Sequence, residues 1–248
     1  MRIRLDMSYD GHNFKGFQRQ VNERTVQQEI ERVLSKIFNS EIVITASGRT
    51  DAGVHALKQV ITFTPNKEVN DLSLLRYSLN RMLPNDIHIN AIKKVNDDFH
   101  PRFSALSKTY KYLLNMGEAN PFYENYRYEF KRKLDVQKMK EAKDLFIGKH
   151  NFHNFTTKEE DTKDFIRTIS SITINQDDNI LTIILVGDGF MRYMVRMIVG
   201  TLIMIGLGKE DKSFITNKLT DNERMPVIYK APPQGLYLVD VKYDGSDD

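Results

Sequence analysis

The sequence predicts an α+β fold made of two ferredoxin-like βαββαβ halves, residues 1–104 and 105–248, whose antiparallel sheets form a central cleft. Residues 1–9 alternate apolar and polar side chains, which is typical of a strand with one buried face. Residues 25–37 carry apolar side chains at helical spacing behind a capping signal. The same order of strands and helices then occurs twice along the chain.

The first half contains four predicted strands and two predicted helices. The strands show period-two alternation or short apolar runs, and they cover 1–9, 41–46, 57–63 and 87–95. Thr25 and Gln28 form a capping box that starts the first helix. Asp71 caps the second helix, and Pro84 ends it.

The second half repeats this order without obvious sequence identity. Its strands are predicted at 105–115, 166–175, 180–187 and 236–243, and its helices at 136–146, 191–207 and near Ser213. Asp135 begins the first of these helices and Gly148 follows it. The loops 115–133 and 149–164 are long for a compact fold, and long loops are often functional.

Composition excludes several kinds of site. The 248 residues contain no cysteine, so disulfides, thiolate metal sites and cysteine nucleophiles are absent, and we expect a protein of the reducing cytoplasm. His150 and His153 have the His-x-x-His spacing of a metal site, but no third ligand is evident. No phosphate-binding or dinucleotide motif occurs, so we expect neither metal nor cofactor. The apolar stretch 190–207 carries two arginines and is a poor membrane span.

Charge is concentrated in one segment. The net charge of +3 is too small to indicate a nucleic-acid partner by itself. Residues 127–140, however, hold six basic residues next to aromatic ones, including Lys131, Arg132 and Lys133. Such a run is either an exposed, solvated loop or a surface that grips RNA.

The stretch from Ala46 to Ala56 contains the residues best suited to chemistry. It joins two predicted strands through a polar loop with two glycines, and Asp51 is its only carboxylate. Arg49 can clamp a phosphate or orient a carboxylate, while Asp51 can act as nucleophile or base. A plainer interpretation is a hairpin in which Asp51 caps its own backbone.

Arg196 is the next candidate, because it lies in a helix that is apolar on nearly every side. A buried guanidinium needs an anion, either an acidic side chain or a substrate phosphate. Arg192, four residues earlier, is predicted on the same helical face. Alternatively, Arg196 lies at a helix edge with its stem along the core.

Several stretches together resemble the TruA-type tRNA pseudouridine synthases. The resemblance rests on Gly48-Arg49-Thr50-Asp51-Ala52-Gly53-Val54-His55-Ala56 and continues in order through 9–11, 18–20, 103–105, 107–112, 148–150, 189–202 and 231–238. The chain departs from the family pattern at Phe17 for tryptophan, Gln28 for glycine, Pro101 for alanine, and in the acidic run from Lys158 to Asp164. The match therefore spans nearly the whole chain.

The resemblance implies that a homodimeric enzyme without a cofactor isomerises uridine to pseudouridine at positions 38–40 of the tRNA anticodon stem-loop. Asp51 is then the catalytic nucleophile, Arg196 its basic partner, and Tyr110 the aromatic residue that contacts the target base. The expected catalytic residues are Asp51, Arg49 and Arg196. The residues expected to bind substrate are Tyr110, Arg192, Lys131 and Arg132. From the residues alone, Tyr110 is equally a core tyrosine on a strand.

Three alternatives stay open. A paralogue would act on another RNA, such as rRNA. A non-catalytic RNA-binding module would show paired aromatics on its central strands, and no such signature is found. A single-aspartate glycosidase would act on the same kind of substrate but release free uracil.

Overall fold

The structure is a computed structural model, and it describes residues 2–157 and 164–245. The chain divides by its internal contacts into two compact units, Met1–Leu106 with Tyr237–Asp248, and Ser107–Leu236. Both units combine antiparallel strands with helices, which confirms the α+β class. The assignment of separate domains to 1–104 and 105–248, and the cleft, stay predictions.

The first unit has the predicted βαββαβ order. Its elements are β1 (Arg2–Tyr9), α1 (Val26–Phe38), β2 (Thr45–Ala46), β3 (His55–Phe63), α2 (Leu72–Met82) and β4 (Ile87–Val95). The strands lie in the order β4-β1-β3, with β2 also paired to β3, and all of these pairs are antiparallel. This is the strand order of a ferredoxin-like sheet.

Local sequence signals explain both helices of this unit. The Thr25 hydroxyl donates to the Gln28 side chain at 2.6 Å and accepts from the Gln28 N–H at 3.4 Å, so the predicted capping box is formed. Asp71 accepts from the Leu74 N–H at 2.9 Å and starts α2. The apolar faces of the helices and β1 meet in a core that includes Ile3, Leu5, Met7, Ile30, Leu34 and Leu79, all fully buried.

The predicted strand at 41–46 is wrong for most of its length. Only Thr45–Ala46 pairs with β3. The N–H groups of Ile42 and Ile44 instead donate to the side chains of Ser35 and Glu31 on α1, at 3.0 and 3.1 Å. Those side chains satisfy the backbone that a neighbouring strand would otherwise satisfy.

The described residues of the second unit form five complete strands, the first residue of a sixth, and three α-helices. The strands are β5 (Ser107–Asn115), β6 (Tyr128–Glu129), β7 (Gly148–Asn151), β8 (Ile166–Asp177), β9 (Ile180–Gly187) and the start of β10 (Leu236–Lys242). The helices are α3 (Val136–Ala142), α4 (Met194–Gly206) and α5 (Lys212–Thr220). Strands β5-β9-β8-β7 form an antiparallel sheet, and β6 adds a short parallel pair to β5.

Two helices of the second unit differ from their predicted extents. The helix predicted at 191–207 begins at Met194, because Tyr193 has φ +62°, a left-handed conformation that cannot belong to a right-handed helix. The helix predicted at 136–146 becomes 3₁₀ after Ala142. Among the described residues, no helix is both long and apolar enough to cross a bilayer.

Residues Tyr237 to Lys242 of β10 group with the first unit. There β10 runs parallel to β3, with Tyr237 opposite His55 and Leu238 opposite Ala56. The last strand therefore borders the residues at which the Asp51 loop enters β3.

Candidate active site

The loop from Ala46 to Ala56 is fixed at its first end by Gln59 of β3, a fully buried side chain. The Ser47 hydroxyl donates to Gln59 Oε1 at 2.5 Å, and Gln59 Nε2 donates to the Gly48 carbonyl at 3.1 Å. The Ser47 N–H also donates to the Val60 carbonyl at 2.8 Å. The buried side-chain amide of Gln59 therefore holds the start of the loop against β3, the strand that follows the loop.

Thr50, which precedes the predicted nucleophile Asp51, is held by hydrogen bonds to β1 and to the segment after β1. Its hydroxyl lies 2.8 Å from the Tyr9 hydroxyl, and its carbonyl accepts from the Phe17 N–H at 3.1 Å. Burial raises the pKa of Tyr9 to about 12, so the phenol stays neutral and able to hydrogen bond. Phe17 is buried, and the centroid of its ring lies 6.3 Å from that of Tyr9.

Asp51 opens a tight turn. The Val54 N–H donates to the Asp51 carbonyl at 3.1 Å, and Gly53 has φ +76°, a conformation that side chains other than glycine rarely adopt. The Gly53 N–H donates to the Phe14 carbonyl at 3.3 Å. Asp51 is partly exposed and Arg49 is exposed, so both candidate residues are accessible from solvent.

The segment after β1 packs directly on this turn. A β-carbon at Gly11 would lie 2.0 Å from the Val54 carbonyl oxygen, and Gly16, at φ +99°, approaches the Thr50 carbonyl. The Gly11 N–H donates to His55 Nδ1 at 3.0 Å, and the His55 ring stacks on Tyr237 with centroids 4.7 Å apart. His55 therefore links the segment after β1 to β3 and β10.

The other predicted positions belong to the second unit, and Tyr110 is the first of them. It lies on β5, is 8% exposed, and meets the Phe190 ring edge-on with centroids 5.2 Å apart. Tyr112, two residues on, is fully buried and donates to the Pro232 carbonyl at 2.9 Å. Burial raises the pKa of Tyr112 well above its usual value. Both tyrosines therefore sit on one buried face of β5, as their spacing predicts.

Arg196 is buried in α4, with 7% of its surface exposed. Its Nε donates to the Ala231 carbonyl at 2.7 Å, and the Ala231 N–H donates back to the Arg196 carbonyl at 3.0 Å. Arg192 precedes α4 and does not share its face, because the helix starts only at Met194. The two arginines nevertheless contact the same ring, that of Tyr193.

The basic run lies mostly on the surface of the second unit. Lys131, Arg132 and Lys133 are exposed, and within the described ranges none of them forms an ion pair. Arg127 is different, because it pairs with Glu129 at 2.6 Å and lies over the Tyr123 ring. Burial opposes ionisation of Glu129, but hydrogen bonds from Asn115 and Arg127 outweigh it and lower the pKa of this carboxyl.

The two histidines of the His-x-x-His pair make separate contacts. His150 Nε2 lies 2.9 Å from the Ile147 carbonyl, while His153 is buried beside the Phe165 ring. Residues 2–157 and 164–245 contain no group of three His, Cys, Asp or Glu side chains that could hold a metal ion. Of the acidic run from Lys158 to Asp164, residues 158–163 lie outside the described residues.

The residues that support the loop were not found from the sequence. Tyr9 and Gln59 lie on strands and look like ordinary strand residues. The sequence feature that could have indicated this support is a polar glutamine at the centre of the apolar run of β3. A buried amide in such a run requires polar partners, and the loop supplies them.

A sequence model of the tRNA pseudouridine synthase family matches residues 7–104 and 142–244. The chain is 40% identical over 245 residues to tRNA pseudouridine synthase A of Geobacillus sp. strain WCH70, covering 98% of each chain. It is 38% identical over 242 residues to the enzyme of the same name from Acetivibrio thermocellus, covering 97% of this chain and 99% of the relative.

A more distant likeness is to a chain in the crystal structure of a Cbf5-Nop10-Gar1 complex, with a TM-score of 0.36 and 10% identity. It covers 98% of this chain and 60% of that one.

The segments matched by the family model contain four of the predicted site residues, Asp51, Arg49, Arg192 and Arg196. The other three, Tyr110, Lys131 and Arg132, fall between the segments.

Proposed function

Since the chain belongs to the tRNA pseudouridine synthase family, we propose that its target uridines are those at positions 38–40 of the anticodon stem-loop. The chain is an enzyme that isomerises uridine to pseudouridine in tRNA. Asp51 is our proposed nucleophile. The observation that carries this choice is the turn itself, in which Asp51 is partly exposed while Thr50 before it and Val54 at the end of the turn are buried and hydrogen bonded.

The reaction needs only one carboxylate. The N1–C1′ bond of uridine breaks, the detached base turns, and a C5–C1′ bond forms. The C5 proton is lost and N1 gains a proton, so nothing is oxidised or reduced. Asp51 can attack the ribose or the uracil ring, or assist loss of the 2′ proton. Arg49 holds charge near the reacting groups, and Tyr110 stacks on or hydrogen bonds to the base.

The target uridine must leave its stack before Asp51 can reach it, which requires a grip on the RNA backbone. We assign this grip to Lys131, Arg132 and Arg192, which are exposed cations. We also propose that the enzyme is a cytoplasmic homodimer that needs no metal or cofactor. Sedimentation at several concentrations tests the dimer, and dialysis against a chelator tests the metal.

A doubly labelled tRNA transcript tests the reaction. Tritium at C5 of uracil should appear in water, while a carbon label in the ring should stay in the RNA. Release of the carbon label as free uracil would identify a glycosidase, and release of neither label would identify a binding module. Mapping the modified positions in tRNA and rRNA then tests the anticodon stem-loop against another RNA target.

Replacing Lys131, Arg132 and Lys133 together by glutamine should weaken tRNA binding and flatten its salt dependence. Each lost phosphate contact lowers the slope of log affinity against log salt by about 0.7 to 0.9. The control is Lys212→Gln, since this ammonium already pairs with Glu141 at 3.0 Å. Equal slopes for the triple variant and the wild type would leave the basic run as a solvated surface.

We further propose that Arg196 supplies positive charge to Asp51. Arg196→Met should then lower activity and move the acidic limb of the pH profile to higher pH, because the carboxylate loses the charge that favours its ionised form. Arg196→Lys keeps a charge and should shift the limb less. In a double-mutant cycle with Asp51→Asn, the unfolding free energies should show a coupling of about 1 to 3 kcal/mol. Additive effects with an unmoved profile would contradict the pairing.

A further inference from the structure

Three cations surround the ring of Tyr193 in the second unit. The Lys230 Nζ lies 4.3 Å from the ring centroid, and the guanidinium carbons of Arg192 and Arg196 lie 4.9 and 5.3 Å from it. Arg192 Nη2 also donates to the Tyr193 hydroxyl at 3.2 Å. One aromatic ring therefore gathers three positive charges from two separate parts of the chain.

Two of these three cations have no carboxylate partner among the described residues. Within the parts of the chain that the structure describes, neither Arg192 nor Lys230 forms an ion pair with a carboxylate. Both are exposed, whereas Arg196 is buried. Like charges held close together repel, and contact with a ring face offsets this only in part. An anion from outside would complete the cluster.

The position of the cluster is fixed by the backbone on both segments that carry its residues. Tyr193 has φ +62°, a conformation that bulky residues adopt only where the surrounding structure imposes it. The segment that carries Lys230 is tied to α4 by the two hydrogen bonds between Arg196 and Ala231. The backbone on which Arg192 and Lys230 stand is therefore fixed beside the Tyr193 ring.

We propose that Arg192 and Lys230, organised by the Tyr193 ring, bind a single phosphodiester group of the tRNA backbone. A guanidinium offers two parallel N–H donors to the phosphate oxygens, and an ammonium adds a compact charge. Their exposure makes them accessible to a backbone phosphate, and a site beside Arg196 would hold the RNA next to a proposed catalytic residue. This inference rests on the proposed function and extends it to a defined contact.

The test measures binding of full-length protein to an unmodified tRNA transcript over a series of salt concentrations. Two cations that share one phosphate count as one contact, so Arg192→Gln with Lys230→Gln should lower the log-log slope by about 0.7 to 0.9, and each single variant by less. Lys209→Gln is the matched control, because this exposed lysine lies beyond the opposite end of α4. It should leave the slope unchanged.

The ring is tested separately. Tyr193→Phe keeps the ring and should keep most of the slope, whereas Tyr193→Asn tolerates the left-handed backbone, removes the ring and should lower the slope as the double variant does. A double-variant loss near twice the expected value would mean two separate phosphates, and no loss would mean no RNA contact. Either result, or a Tyr193→Asn variant equal to wild type, would overturn the proposal.

These outcomes are separable from failure of the proposed function. Wild-type protein that isomerises the transcript, with an unchanged slope in the double variant, overturns the phosphate site alone. Wild-type protein that leaves every uridine unchanged overturns the function, whatever the slopes show.

Discussion

Asp51→Asn should reduce uridine isomerisation by more than about a thousandfold while leaving the fold and tRNA binding intact. The amide has nearly the shape of the carboxylate but neither its charge nor its basicity. The fold should survive because the contacts that hold the turn use the Asp51 carbonyl, the Thr50 side chain and the Gly53 N–H. Single-turnover assays with excess enzyme, together with filter binding, measure the two properties separately.

The matched control is Asp240→Asn. This carboxylate belongs to the same unit, and it pairs with Lys58 at 2.8 Å and lies outside the Asp51 turn. Its loss should change the rate by less than about threefold, as expected of a surface ion pair. Turnover of Asp51→Asn within about tenfold of the wild type would remove Asp51 from the chemistry.

The second large effect is expected from Gly11→Ala. A β-carbon there would lie 2.0 Å from the Val54 carbonyl oxygen and 2.4 Å from its carbon, and backbone atoms cannot rotate away as a side chain can. We expect a loss of about 3 kcal/mol or more in unfolding free energy, and a fall in melting temperature on the order of 10 °C. Activity should fall as well, because Val54 closes the Asp51 turn.

Gly245→Ala is the control for this substitution, since a β-carbon at Gly245 meets nothing within 4 Å. Thermal unfolding followed by circular dichroism should show a shift for Gly11→Ala and none for Gly245→Ala. A stable, fully active Gly11→Ala protein would mean that the segment after β1 can move away from the loop, and that its close approach is not needed for the turn.

Local signals predicted much of the fold. β4 and β9 have the boundaries that their apolar patterns predict, and the caps at Thr25 and Asp71 begin their helices as expected. Each of these features depends on residues within about one helical turn of one another. Such information is present in any short window of sequence.

The predictions of secondary structure that were wrong involve residues that are far apart in the sequence. Ile42 and Ile44 alternate as a strand should, but Glu31 and Ser35 take their N–H groups, and that competition is not visible in the alternation. β7 was missed because four residues, Gly148–Asn151, acquire strand geometry only by pairing with β8. Tertiary contacts decided both cases.

The candidate site divides in the same way. The proposal of Asp51 and Arg49 as site residues draws on one loop, because the residue types that suggest their chemistry are close together in the sequence. The support from Tyr9 and Gln59, the steric limit at Gly11 and the cations gathered by Tyr193 all join residues distant in the chain. No spacing of residues in the sequence predicts these contacts, since a tyrosine on a strand is usually a core residue.

The burial of Tyr9 has a consequence for alkaline conditions. Its pKa of about 12 lies above the ordinary value of 10.0, so the folded protein favours the neutral phenol. The resulting stabilisation is complete below the ordinary pKa and is lost as pH rises through the interval between the two values. Over the neutral range the phenol keeps Thr50 in place without titrating. A phenolate beneath the Asp51 loop therefore forms only in strongly alkaline solution, and the hydrogen bond between Tyr9 and Thr50 persists over the whole neutral range.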